Sequence, residues 1–265
     1  MDKEKNYGII VVIILSIVLL VSGIFIFIKS NNKNNNKEVK LSNQNNQENI
    51  NKEAYEYMEL ALGGTYVDGF NNAIDNLMMY NLEENQRIKV AEFNDNTLSE
   101  LVYHYASNNN YLKTTNNKQK DKYLEEDDAI EIYNKIFGSY VIYEKITKSD
   151  MCPNFSYDKA KRRYIYSNNC GLNTNVTKYS KIISSEKKDN TLLVIEEVAY
   201  YRSDLVENNI FDNYTDAINN SNSVGTISSS TEVEMQNLKN DISKYKFIFK
   251  KWNDKYYFYS IERIA

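Results

Sequence analysis

The residues best suited to chemistry are serines spaced from lysines. Ser156-Tyr157-Asp158-Lys159 fits the pattern S-x-x-K, in which a lysine one helical turn after a serine can take its proton, and Ser184-Ser185-Glu186-Lys187 fits it too. Neither is joined by a Ser-Asp-Asn or Lys-Thr-Gly partner, and both fall in strand-turn contexts, where the spacing loses its meaning. His104 is the only histidine and has no evident partner. No G-x-S-x-G, P-loop or G-x-G-x-x-G occurs. Glu196 and Glu197 are adjacent, so on a strand they point to opposite faces and make no acid/base pair. No cofactor and no metal site is expected, because a zinc centre needs more Cys or His than this chain places together.

Cys152 and Cys170 are the only cysteines. The strand-turn-strand between them, Phe155 to Tyr166, would bring them together as the two ends of a hairpin. Outside a membrane, a disulfide closing that loop would stabilise the fold by about 3 kcal/mol on the loop-entropy argument. The alternative is two buried thiols in a cytoplasmic domain.

Tyr is used 23 times, and the run Tyr256-Tyr257-Phe258-Tyr259 follows Trp252, the single tryptophan. Aromatic faces can stack on sugar rings, and Trp252, Tyr257 and Tyr259 form a candidate binding surface. Alternation along a strand lets only half of the run share one side, and sheet packing accounts for the rest.

The elements that would position these residues read as α+β. A segment from Glu53 to Leu62 is helix or strand. Ile74, Leu77 and Met78 mark a helical face in Asn72 to Leu82, and Asn81 with Glu84 resembles a cap for a further segment carrying Ile88 and Ala91. Thr97-Leu98-Ser99-Glu100 matches a capping box ahead of Leu98, Leu101, Val102 and Tyr105, and places His104 off the apolar stripe. A further helix runs from Asp127 to Phe137, with Gly138 as its stop. Glu125 to Asp128 complement its dipole rather than forming a cation site.

Past Gly138 the period changes to that of strands. They are Tyr140 to Ile146, Arg163 to Ser167, Lys178 to Ser185, Leu192 to Tyr201, Tyr245 to Trp252 and Lys255 to Ile264. Asn253-Asp254 supplies a two-residue turn, which sets Phe249 opposite Phe258 and Ile248 opposite Tyr259. Ser203 to Ser243 is mixed, with short helices near Tyr214 to Ile218 and Val233 to Ile242. The predicted fold is thus a helical half, 53–138, packed on an antiparallel sheet, 139–265, that ends in a β-hairpin.

Ahead of this domain, Tyr7 to Ile28 is a run of 22 residues without a charge. At about 1.5 Å per helical residue it is long enough to cross a bilayer, and it exceeds the apolar core of a cleavable signal peptide. Residues 1–6 then form a short cytoplasmic tail, and the Asn-rich stretch 29–52 a disordered linker. Lys29, Lys33, Lys37 and Lys40 after the span argue for a cytoplasmic domain. Large domains cross membranes largely regardless of such charges, and the cysteine pair argues for an extracytoplasmic one. Lys and Arg number 32 against 36 Asp and Glu, which leaves no basic field for nucleic acid.

Ile132-Tyr133-Asn134-Lys135-Ile136-Phe137-Gly138, the paired cysteines and the closing Tyr245 to Lys251 and Tyr256 to Ser260 runs resemble uncharacterised, singly anchored envelope proteins of AT-rich Gram-positive bacteria. That resemblance implies location and no activity. The expectation is a single-pass cell-membrane protein presenting a non-enzymatic extracytoplasmic interaction domain to an envelope protein or glycan. The alternative is an envelope Ser/Lys hydrolase built on Ser156 and Lys159.

Overall fold

The computed structural model describes residues 52–64, 66–71, 80–117, 120–144, 148–149, 154–167, 175–202, 208–228, 235, 238 and 242–265. The span Tyr7 to Ile28, the linker through Asn51, Cys152 and Cys170 lie outside the described residues. So do Asn72 to Met79 and most of Val233 to Asp241, where helices are expected from the sequence. Among the described residues no helix is long and apolar enough to cross a membrane.

The chain forms α1 over 52–62 and two three-residue strands, β1 (Gly69–Asn71) and β2 (Arg87–Lys89), then a 3-10 turn (Val90–Glu92). Helix α2 (Asp95–Asn108), β3 (Lys113–Thr114), β4 (Lys122–Glu125) and α3 (Glu126–Phe137) follow. Next come β5 (Lys148–Ser149), β6 (Phe155–Asp158), β7 (Arg163–Tyr166), β8 (Val176–Lys188), β9 (Thr191–Arg202) and β10 (Asn208–Phe211). The remainder is α4 (Tyr214–Asn219), β11 (Gly225–Ile227), β12 (Ser243–Trp252) and β13 (Lys255–Arg263).

Two sheets result, and every pairing within them is antiparallel. The larger has the order β1-β8-β9-β12-β13-β2, with β10 continuing along β9 beyond the end of β12 and β11 beside β10. The smaller has the order β3-β4-β7-β6-β5. The predicted α+β class and antiparallel pairing are what form, but as two sheets rather than one. Strands β1 to β4 fall within 53–138, which the sequence suggests is a helical half, because β1, β2 and β4 pair with strands far along the chain.

Period-2 alternation builds the large sheet. Leu192, Val194, Val198 and Tyr200 of β9 face the helices and are buried, as are Phe247 and Phe249 of β12 and Phe258 and Ile261 of β13. Each such side chain contributes about 1.5–3 kcal/mol on leaving water. The helices meet this face through Met58 and Ala61 of α1, Leu101 and Ala106 of α2, and Ile132, Ile136 and Phe137 of α3. On the opposite face, Tyr179, Ala199, Ile210 and Ile227 form a smaller apolar cluster.

Several expectations need correction. Helix α2 starts earlier than the capping box suggests, because the Asn94 side chain accepts the Thr97 backbone N–H at 2.9 Å; Glu100 is buried in the helix body. The segment holding Ile88 and Ala91 is not a continuous helix. Arg87–Lys89 pairs with β13 instead, so tertiary pairing overrides the local three-residue spacing. Residues 140–141 form a bend and 142–144 take no regular structure, rather than a strand. In the last hairpin, Asn253 and Asp254 both have positive φ and Phe249 does face Phe258. A bulge then shifts the register, and Ile248 faces Ser260, not Tyr259.

Candidate functional site

The predicted Ser/Lys pair does not form a site. Ser156 lies exposed on β6 and Lys159 exposed on the turn that follows, so nothing withdraws the lysine from water as a general base requires. Ser184 is exposed too, and Lys187 is engaged by Glu53. His104 has a side chain only 14% exposed, 3.9 Å from Glu100 on its own helix and edge-on to Tyr103. Glu126 and Asp127 are held by Arg162 at 2.7 and 2.9 Å, and Tyr157 donates to Glu126 at 3.0 Å. No group of three metal-ligating side chains occurs among the described residues.

The candidate aromatic surface is divided. Trp252, at the end of β12, is 52% exposed. Tyr257 and Tyr259 are half-buried under the chain leaving α3. A Cβ at Gly138, whose φ is +58°, would lie 2.8 Å from the Tyr257 ring, and Tyr140 packs edge-on to Tyr259 at 5.2 Å. Lys250 stands 3.6 Å above the Tyr259 ring in a cation–π contact.

A cluster that the sequence reading passed over lies on the core side of β9. Glu196 is fully buried, accepts from the Tyr80 hydroxyl at 2.7 Å, and faces Lys178 at 3.8 Å. Lys178 is itself 4.0 Å from the centre of the Tyr80 ring, and Tyr245 donates to the Tyr80 carbonyl at 2.7 Å. Burial outweighs the neighbouring cation and raises the Glu196 pKa. Tyr66, Tyr80 and Tyr200 are pushed up, first by burial and then by nearby charge or tyrosine, and Tyr245 is raised to about 12. Among the described residues Glu196 Oε1 and the Tyr66 hydroxyl have no hydrogen-bond partner. The signal was present: Glu196 occupies the same phase as Leu192, Val194, Val198 and Tyr200, so it breaks an apolar alternation.

Two concavities stand out among the described residues. One, of about 30 Å³, lies among α2, α3 and the small sheet at Leu98, Val102, Tyr133, Phe155 and Tyr164; it has room for water and no larger ligand. The other is a polar cleft of about 300 Å³ lined by Glu56, Glu59 and Leu60 of α1, by Gly64, by Tyr105 and Asn108 of α2 with Asn109 that caps it, and by Lys135 of α3.

Two glycines shape this cleft. Gly63, at φ +75°, reverses the chain at the end of α1, and its missing Cβ would sit 2.6 Å from the Tyr105 nitrogen. At Gly64 a Cβ would meet Asn108 Nδ2 at 2.2 Å. Helix α1 can therefore close on α2 this tightly only with glycine at 63, whereas a methyl at 64 would displace the Asn108 side chain. The amides are then fixed by what they donate to. Asn108 Nδ2 donates to the Gly63 carbonyl at 2.9 Å and Asn109 Nδ2 to the Tyr105 carbonyl at 2.9 Å, so each side-chain oxygen is left to accept. Glu59 Oε1 accepts the Tyr66 N–H at 3.3 Å, which leaves Oε2. Lys135 lies 5.1 Å over the Tyr105 ring, and a hydrogen bond with Tyr105 raises its pKa. The result is a site rich in fixed acceptors, with one ammonium at its margin. No local pattern marks it, because three helices supply it.

Compared with protein-family models, curated proteins and solved structures, the chain matches none.

Proposed function

We propose that this chain is a single-pass cell-membrane protein, anchored by Tyr7 to Ile28, that holds a non-enzymatic domain outside the cell and binds envelope material through the cleft between α1 and α2. The cleft carries the reading. Glu56, Glu59, Asn108 and Asn109 present carboxylate and amide oxygens within about 300 Å³, a volume that suits one or two sugar units. Acceptor-rich walls favour a ligand rich in donors, and an amino-sugar glycan supplies hydroxyls and an ammonium together. The uncharged 22-residue segment and the resemblance to singly anchored envelope proteins support the location.

The paired cysteines belong to the same proposal. Strands β6 and β7 pair from Phe155↔Tyr166 to Asp158↔Arg163, and the Ser167 N–H donates to the Asn154 carbonyl at 2.9 Å, so Asn154 and Ser167, two and three positions in sequence from Cys152 and Cys170, are paired across the hairpin. An exported domain would carry them as a disulfide.

Titration of the detergent-solubilised full chain with oligosaccharides of free amino sugars, against their N-acetylated counterparts, tests the binding. The amino form should bind more tightly, and Glu59→Gln should weaken it about tenfold, the loss of one charge-assisted hydrogen bond. Equal, E59Q-insensitive binding of both forms would overturn the cleft as the site. Protease shaving of intact cells tests the location, since release of the domain requires it to be outside.

A further inference from the structure

The point at which the chain enters the domain lies beside the tips of both long hairpins. Glu53, in the first turn of α1, pairs with Lys187 near the end of β8. Lys187 lies 5.3 Å over the Tyr256 ring of β13, and the Tyr256 N–H donates to the Tyr57 hydroxyl of α1 at 3.3 Å. The Lys251 N–H donates to the Asn190 carbonyl at 2.8 Å, joining the two tips. One end of the large sheet therefore gathers the start of α1, the turn after β8 and the turn after β12.

That end is cationic and carries the single exposed indole. Lys52, Lys187, Lys188, Lys250, Lys251 and Lys255 are set against Glu53, Glu186, Asp189 and Asp254, a local excess of positive charge in a chain whose net charge is −4. Lys187 and Lys251 are paired, to Glu53 and to Asp254 at 3.1 Å. Lys52, Lys188 and Lys255 are exposed and have no carboxylate partner among the described residues. Trp252 follows Lys251 and stands opposite Lys255 in the hairpin, 52% exposed, although an indole gains free energy on leaving water. Tryptophan flanked by lysine suits one environment in particular: the headgroup boundary of an anionic bilayer, where the ring sits at the interface and the ammoniums meet phosphates.

We infer that this end of the domain docks on the anionic bilayer surface, with Trp252 seated at the headgroup level and Lys52, Lys188 and Lys255 on the phosphates. The inference rests on the proposed membrane anchor. Given that anchor, an Asn-rich linker over 29–51 would hold the basic end within reach of the bilayer and raise its effective concentration there, so weak headgroup contacts would suffice. Glu59, Asn108 and the rest of the cleft lie toward the other end of α1, so docking leaves them open to the envelope.

Trp252 is the only tryptophan, so its emission reports the contact directly. The full chain is reconstituted in phosphatidylcholine vesicles with and without phosphatidylglycerol, and its accessibility to acrylamide and to brominated lipid is read. In anionic vesicles the emission should shift to the blue, acrylamide quenching should fall severalfold, and brominated lipid should quench. High salt should reverse all three. Lys188→Glu with Lys255→Glu should lower the docked-to-undocked ratio by at least about fivefold per lysine. Water-exposed Trp252 in both vesicle types overturns the inference. So does shielding that appears in neutral vesicles and grows with protein density, which would mean a second copy, or shielding that requires added glycan. Alkaline carbonate extraction of the same vesicles tests the anchor separately. A chain that is extracted overturns the anchor, whereas one that stays in the bilayer with a wet Trp252 overturns docking alone.

Discussion

Lys178 and Glu196 meet at 3.8 Å inside the main core, although Glu196 sits opposite Ile182, four residues along the ladder from Lys178. The lysine must run along the sheet to reach it. Both groups are almost wholly withdrawn from solvent. Each is tolerable only because of the other and of Tyr80, since removing one member of a buried pair strands a charge.

Glu196→Ala should therefore destabilise the protein by about 3 kcal/mol or more, measured by urea unfolding, while Glu196→Gln retains an acceptor for Tyr80. The raised folded pKa fixes the sign of the pH dependence. The native state holds the Glu196 proton above the pH at which the unfolded chain releases it. Its contribution is thus fully present below the ordinary carboxyl value of 4.5 and is lost as pH rises through the folded value. E196Q should flatten that part of the stability profile; an unchanged slope would place the titration elsewhere.

Alkaline unfolding should be cooperative and tyrosine-driven. Tyr80, Tyr200 and Tyr245 are raised above their ordinary value of 10.0, Tyr245 to about 12. Stability is therefore complete below pH 10 and falls as pH rises past it, because the unfolded chain ionises first. Phenolate absorbance and loss of near-ultraviolet circular dichroism should rise together as the protein unfolds. Phenolate appearing well before unfolding would contradict the burial of these rings.

Gly63→Ala should cost about 2 kcal/mol or more, from a methyl at positive φ pressed on the Tyr105 nitrogen. It should also splay α1 from α2 and weaken the cleft. Gly69→Ala is the control for backbone strain alone, since φ is +108° there and a Cβ would meet nothing within 4 Å. If the two variants lose equal stability, the close approach at Gly63 is not a constraint.

Asn94→Ala should lower stability by about 1 kcal/mol through loss of the bond to the Thr97 N–H, with Asn94→Ser restoring most of it. Thermal unfolding of the pair checks this, and an unperturbed Asn94→Ala would move the helix start back toward Thr97.

The parts legible in the sequence were those fixed by near neighbours. Asn253-Asp254 announced its turn because few residues accept positive φ, and that turn set Phe249 against Phe258. Gly138 marked the end of α3 for the same reason. One extra residue at the bulge was enough to move Tyr259 out of its expected pairing, and no composition cue announces a bulge. Ile88 and Ala91 had helical spacing, yet Ile88 found Ile261, 173 positions later, and a local pattern cannot register such a partner. The cleft was illegible because Glu59, Asn108 and Lys135 come from separate helices with ordinary surface sequences. Glu196 was legible in principle, as a charge in the wrong phase.

The order β1-β8-β9-β12-β13-β2 has one more consequence. The strands bounding that row, β1 and β2, are three residues each and come from before α2, whereas the long strands they cover come from after Val176. They act as selvedges over part of each edge: Gly69–Asn71 takes up the outer side of β8 at Lys178 to Ser180 and Arg87–Lys89 that of β13 at Ser260 to Glu262, where unpaired amides would otherwise face any passing strand. Both hems are made before the strands they edge, so β8 can meet β1 as soon as it emerges, whereas β2 must wait for β13, and the β13 side of the sheet is the last to be hemmed.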